Sequence, residues 1–197
     1  SPFCPAERQY RMPVPSGSQR PPTAQWTATA AGCTILSAQG EGPRITHVTC
    51  GRVVDLGVRD ANNMGAAMAP AAADTLSAFF RDTGASPSDF DLIATGDLGK
   101  LGSQLLRELM EKDGIHLGEQ YTDCGLLLFD LQGQDMHCGA SGCGCSASVF
   151  NGYLLGQMAA GRLKRLLFAP TGALLSPTSS FQGESIPGIC HAVCVER

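Results

Sequence analysis

Apolar positions along the chain recur with two periods, and the two periods divide it into strands and helices. Thr27 to Ala38 (TATAAGCTILSA) predicts a strand built around small residues, with Gly40 and Gly42 turning the chain after it. Arg44 to Cys50 alternates as a half-buried strand does. Asp55 to Asn63 is polar and loop-like, and from Pro70 the alanine-rich run to Phe80 predicts a helix with proline near its first turn. Ser86 to Asp89 predicts a turn and Asp91 to Gly96 a short buried strand. A glycine-rich loop, 96–102, then leads to a helix over Ser103 to Lys112. Asp123 to Asp130 is a further strand by its apolar run. In Ser141 to Gly161 a glycine- and cysteine-rich turn enters a helix whose stripe is Val149, Tyr153, Leu154, Met158 and Leu163. Leu166 to Ala169 is a strand, 171–185 a long loop, and Gly188 to Glu196 a terminal strand. Alternation of strands with helices, closed by two strands with no helix between them, predicts an α/β layered fold.

Composition narrows the class. Of 197 residues, 43% are hydrophobic and 16% charged, which describes a globular chain with a sizeable core. A net charge of -4 argues against a nucleic-acid surface. No apolar run approaches the ~20 residues of a membrane span. The start is polar and proline-rich, unlike a signal peptide, and without an initiator Met it points to a processed or shortened chain. Residues 1–26 hold six prolines and read as an extended arm, with a charged cluster at Ala6 to Arg11. The nine cysteines are an odd number and mostly isolated, which fits reduced thiols in a reducing compartment.

The candidate chemistry is sparse. The loop 96–102 follows a strand and opens a helix, where open α/β sheets place ligands, but it lacks the spacing and the Ser or Thr of a P-loop. Asp97 is either a turn-former or a site residue. Gly142, Gly144, Ser146 and Ala147 at the helix start permit tight packing, and the free N–H groups of a helix start also suit an anion. His137, Cys138, Cys143 and Cys145 have no matching distant pair, so a zinc site is not expected. His47 reads as a packed or surface strand residue, with no second histidine or acid at ligand spacing. His191 reads as a strand or core histidine.

Several segments together resemble one family. MGAAMAPAAADT (64–75), TGDLGKLGS (95–103), DCGLLLFD (123–130), SGCGCSA (141–147) and PTGALLSPTSSFQGESIPGICHAVCVER (170–197) are similar to the stage V sporulation protein AD family, as is the arm AERQYRMP (6–13). The resemblance implies a thiolase-like fold of two similar α/β halves, each with a mixed five-stranded sheet and flanking helices. It places 1–43 as the arm and last strand of the N-terminal half and 44–197 as the C-terminal α/β domain. The rest of the first half would carry the nucleophilic cysteine of thiolases and the strands through which they dimerise.

The function it implies is binding of dipicolinic acid, within the SpoVA complex of the spore inner membrane. Uptake in sporulation and release in germination follow from that role. Partners would be dipicolinate, with Ca²⁺, and the other SpoVA membrane subunits; the chain would be peripheral, on the cytoplasmic or forespore side, and able to form a homo-oligomer. A flat ring with two carboxylates needs fixed donors at both ends and a slot between. Gly96, Asp97, Leu98, Gly142, Cys143, Ser146, Thr171, Ser176 and His191 are the candidate binding residues. Asp97 would repel a dianion unless protonated or bridged by a cation. No cofactor, resident metal or catalytic residue is expected. Two alternatives stand beside this one. A thiolase-type acyltransferase would need Cys143 or Cys194 as thiol, but the loops at 95–100 and 141–146 lack the histidines such enzymes use there. A structural subunit would have no ligand of its own.

Overall fold

A mixed five-stranded sheet forms the middle layer of the computed structural model, which describes residues 22–134 and 136–197. Its strands are β2 (Arg44–Thr49), β3 (Leu92–Thr95), β4 (Tyr121–Asp123), β6 (Arg165–Ala169) and β9 (Ala192–Glu196), in the order β2-β9-β6-β3-β4. β3 is parallel to β4 and β6, while β9 runs antiparallel to both β6 and β2. Four strands therefore end at one edge of the sheet, where β9 begins. Two short ladders lie outside it: β1 (Trp26–Thr27) with β5 (Ala140–Ser141), and β7 (Thr171–Ala173) with β8 (Gly188–Cys190).

The pleat sends successive side chains to opposite faces. Ile93, Leu167 and Cys194 join a core with Leu76, Phe79 and Phe80 of α1 (Met64–Thr83) and Leu106 and Met110 of α2 (Gly99–Lys112). Their neighbours Ala94, Leu166 and Val195 pack on the other side against Cys145, Val149, Leu154 and Met158. Those residues come from α4 (Cys143–Val149), a π-helical turn (Phe150–Leu154) and α5 (Leu155–Ala159). The layered α/β class expected from the alternation is the one observed, with the mixed five-stranded sheet.

Several boundaries differ from the pattern. Thr27 to Ala38 is not a strand. Only Trp26–Thr27 pairs, and beyond it the chain crosses α4, with Gly32 on the Ala147 backbone and the Thr34 hydroxyl donating to Asn151 Oδ1 at 2.8 Å. Small residues suit that crossing as well as they suit a strand. α1 begins at Met64 rather than Pro70, because the Asn63 side chain accepts from Ala66 N and caps the start. Pro70 is then inside the helix. α2 likewise begins at Gly99, not Ser103. The run after Asp123 turns into the short helix α3 (Cys124–Leu127), because the Asp123 carboxylate accepts from Gly125 N. Tyr153 leaves its stripe and is exposed, since the π turn shifts the register of the helix face. The expected loop 171–185 holds β7 and α6 (Pro177–Phe181), and the terminal strand is divided at His191 between β8 and β9.

Candidate functional site

Two carboxylates organise the sheet edge where β3, β4 and β6 end. Asp123, the last residue of β4, is fully buried. Its Oδ2 accepts from the Thr95 hydroxyl at 2.7 Å and from Leu98 N at 3.0 Å. Its Oδ1 accepts from Gly99 N at 3.0 Å and Gly125 N at 2.9 Å. One side chain thus satisfies N–H groups at the starts of both α2 and α3, whose helix dipoles favour a negative charge there. Thr95 spends its proton on Asp123, so the Tyr121 hydroxyl, 3.0 Å away, donates to Thr95. Burial pushes the Asp123 carboxyl up to about 6; the Thr95 and Gly99 donors oppose this, and nearby Asp97 adds to it. Burial also pushes the Tyr121 hydroxyl well up.

Asp97 lies in the loop between β3 and α2. Its Oδ2 accepts from Gly142 N at 3.0 Å, and its Oδ1 accepts from the Thr171 hydroxyl at 3.1 Å. Gln25 Nε2 donates to the Asp97 carbonyl at 2.9 Å and to that of Ala140 at 3.1 Å. Asp97 therefore joins the loops after β3, β5 and β6. The carboxylate that meets the helix start at 142 is the chain's own.

Of the residues expected to bind ligand, the structure brings Gly96, Asp97, Leu98, Gly142 and Thr171 into this group. An added Cβ at Gly96 would meet Thr171 N at 2.6 Å, which explains glycine there. Leu98 is buried and its N–H is spent on Asp123. Cys143 is exposed as the first residue of α4, and Ser146 is half-buried one turn along it. His191 reaches the same edge between β8 and β9; its N–H approaches Pro170 O at 3.4 Å, and its Nδ1 accepts from Gly51 N at 3.1 Å. Ser176 stands apart, at the start of α6. His137, Cys138, Cys143 and Cys145 form no metal-binding group among the described residues. Cys145 instead donates to Gly96 O at 3.8 Å. Burial pushes the thiols of Cys124 and Cys145 well up and that of Cys190 to about 12, so these three are protonated at neutral pH and unsuited to attack a carbonyl.

Sequence reasoning passed over Asp123 and Thr95, the most buried polar residues of the site. Asp followed two residues on by Gly, after a short apolar strand, is the local signature of a helix cap rather than of a continuing strand.

The family model described as Stage V sporulation protein AD (SpoVAD) matches residues 1–196. The Stage V sporulation protein AD of Bacillus subtilis (strain 168) is 44% identical over 192 residues, covering 98% of this chain. The chain spans 56% of that relative's length. Among solved structures, the Bacillus anthracis acetyl-CoA acetyltransferase aligns at 13% identity and a TM-score of 0.43, over 80% of this chain and 31% of that one. MvaS in complex with 3-hydroxy-3-methylglutaryl coenzyme A aligns at 13% identity and 0.46, over 80% and 40%. Likeness of that degree carries no inference about chemistry.

Proposed function

We infer the role from one premise: the chain belongs to the stage V sporulation protein AD family. It is a sporulation protein by that membership. Its role is to hold dipicolinic acid, together with Ca²⁺, rather than to transform it. It does so at the loop edge of the sheet, as part of the SpoVA assembly on the spore inner membrane. The observation that supports this is the pairing of Asp97 with Gly142 N and the Thr171 hydroxyl. That corner already accommodates a carboxylate, with one N–H and one O–H donor converging on it. A ligand dianion arriving beside Asp97 requires a bridging cation, and Ca²⁺ prefers such an all-oxygen setting. Neither loop of the corner, 96–98 or 142–146, carries a histidine to serve as base, and the buried thiols beside it stay protonated. Among the described residues no helix is long and apolar enough to cross a membrane, so contact with membrane subunits is peripheral in this reading.

Calorimetric titration tests it. Dipicolinate, with and without Ca²⁺, is titrated into this chain and into the longer Bacillus subtilis relative. The expected result is saturable binding to the relative that strengthens with Ca²⁺ and weakens when its residue aligned with Asp97 is changed to Ala. A relative that takes up no dipicolinate under either condition overturns the reading.

A further inference from the structure

The sheet end opposite the loops carries a second group of reactive side chains. β2 and β9 pair antiparallel with His47 directly across from Cys194, after a bulge between Ile45 and His47. That bulge puts His47 in phase with Cys194, and Glu196 follows two residues on, on the same face of β9. One ligand atom each of His47, Cys194 and Glu196 lies within 4.8 Å of the others. The three residues are a nitrogen, a sulfur and an oxygen donor, two of them neighbours on β9 and the third brought across from β2.

We propose that His47, Cys194 and Glu196 form a binding site for a zinc-class divalent metal ion, which would clamp edge strand β2 to β9. Ligand atoms around tetrahedral zinc stand about 3.5 Å apart, given Zn–S near 2.3 Å and Zn–N near 2.0 Å. Closing from 4.8 Å to that spacing takes side-chain adjustment alone, and the His47 and Glu196 side chains are solvent-accessible and able to make it. His47 Nδ1 lies 3.1 Å from the Thr46 hydroxyl oxygen. With Nδ1 as the N–H donor, Nε2 keeps the lone pair, which is the usual pattern of a metal-bound histidine. The Cys194 thiol donates to Glu196 Oε1, 3.5 Å away. On metal binding the thiol proton leaves to solvent, so that sulfur and carboxylate both ligate as anions. Arg165 Nε also donates to Glu196 Oε1, at 2.8 Å. The guanidinium also hydrogen-bonds the Cys194 sulfur, so an ion displaces Arg165 from that sulfur. The carboxylate, with two oxygens, can keep the ion pair on one and bind the metal through the other. The site shares no residue with the Asp97 corner and is independent of any dipicolinate role.

Cobalt titration tests the proposal. Co²⁺ added to the reduced, metal-free chain should give a thiolate-to-cobalt charge-transfer absorption saturating at one ion per chain, and Zn²⁺ should displace it. Cys194→Ser should abolish the band, which assigns it against the other eight cysteines. His47→Ala changes an exposed ring, keeps the fold, and should weaken the affinity by more than about tenfold, since even outer-shell losses cost 10–100-fold. Zn²⁺ should raise the thermal midpoint of the chain by more than it raises that of His47→Ala at the same metal concentration. Absence of the band overturns the proposal. So does a band of unchanged affinity in His47→Ala, which decides the matter even where Cys194→Ser fails to fold.

Discussion

Asp123 sets the terms at the scale of single residues, because four donors converge on one buried carboxylate. Asp123→Asn replaces one acceptor oxygen with a donor and strands at least one N–H. Its expected cost is ~1–3 kcal/mol in urea unfolding at pH 7, with Asp123→Ala costing more. The pH dependence has a definite sign. The folded pKa of about 6 lies above the unfolded value of roughly 3.9. Between those values the folded state binds more protons, so this group's contribution makes stability fall as pH rises from about 4 to about 6 and stay level above. The fall is on the order of 3 kcal/mol, and Asp123→Asn should remove it from unfolding curves recorded across that window. Asp89 and Asp91 act in the opposite sense. Their carboxyls are held low by Ser86 and by the Arg165 and Lys164 amides, and that stabilisation is lost only as pH falls below the ordinary carboxylate range. At Asp97, the change to Ala releases the Gly142 amide and the Thr171 hydroxyl. An expected loss of ~1–3 kcal/mol should come with faster hydrogen exchange at the Gly142 amide, and an unchanged exchange rate there would contradict the hydrogen bond.

At the scale of elements, α1 and α2 cross where two glycines meet. A Cβ on Gly65 would stand 2.6 Å from Leu98 O and 2.9 Å from Gly102 Cα. Both obstacles are backbone, so neither can step aside as a flexible side chain does. Gly65→Ala should destabilise by ~1–3 kcal/mol, read as a lower denaturant midpoint at unchanged slope, with Gly102→Ala similar. The helices must be this close because Asp123 caps α2 from below while α1 covers the same sheet face. Element type was legible from periodicity for β3, β6 and both long helices. Element ends were not. The start of α1 depended on the Asn63 side chain, and the break at His191 on β8 having β7 as a partner outside the main sheet.

The whole molecule leaves several large apolar side chains exposed on β2 and the segments before and after it. Ile45 and Val48 on β2 are exposed, as are Val53 and Leu56 beyond it; Ile35 and Leu36 on the preceding segment are 91% and 74% exposed. Exposed apolar side chains of this size favour association. Sedimentation of the chain should show concentration-dependent self-association that Ile35→Ser with Leu36→Ser reduces. The same double variant should shift stability by no more than about 0.5 kcal/mol, because neither side chain belongs to a core. Unfolding and sedimentation together separate a surface effect from a packing effect.

The amino-acid sequence alone determined the α/β class, the run of most strands and helices, and membership of a sporulation family carried by segments along the whole chain. These are properties of local periodicity and of ordered motifs, which need no knowledge of what lies across the sheet. It also brought forward Asp97, Gly142 and Thr171, because strand-end loops are where such sheets gather functional groups. Tertiary structure alone decided that Asp97 itself occupies the helix start at 142, that Asp123 ends a strand and caps a helix rather than beginning a strand, and that His47 faces Cys194 and Glu196. His47 and Glu196 lie far apart in the chain. Their meeting follows from antiparallel pairing and one bulge, and neither is written in the spacing of residues along a single segment.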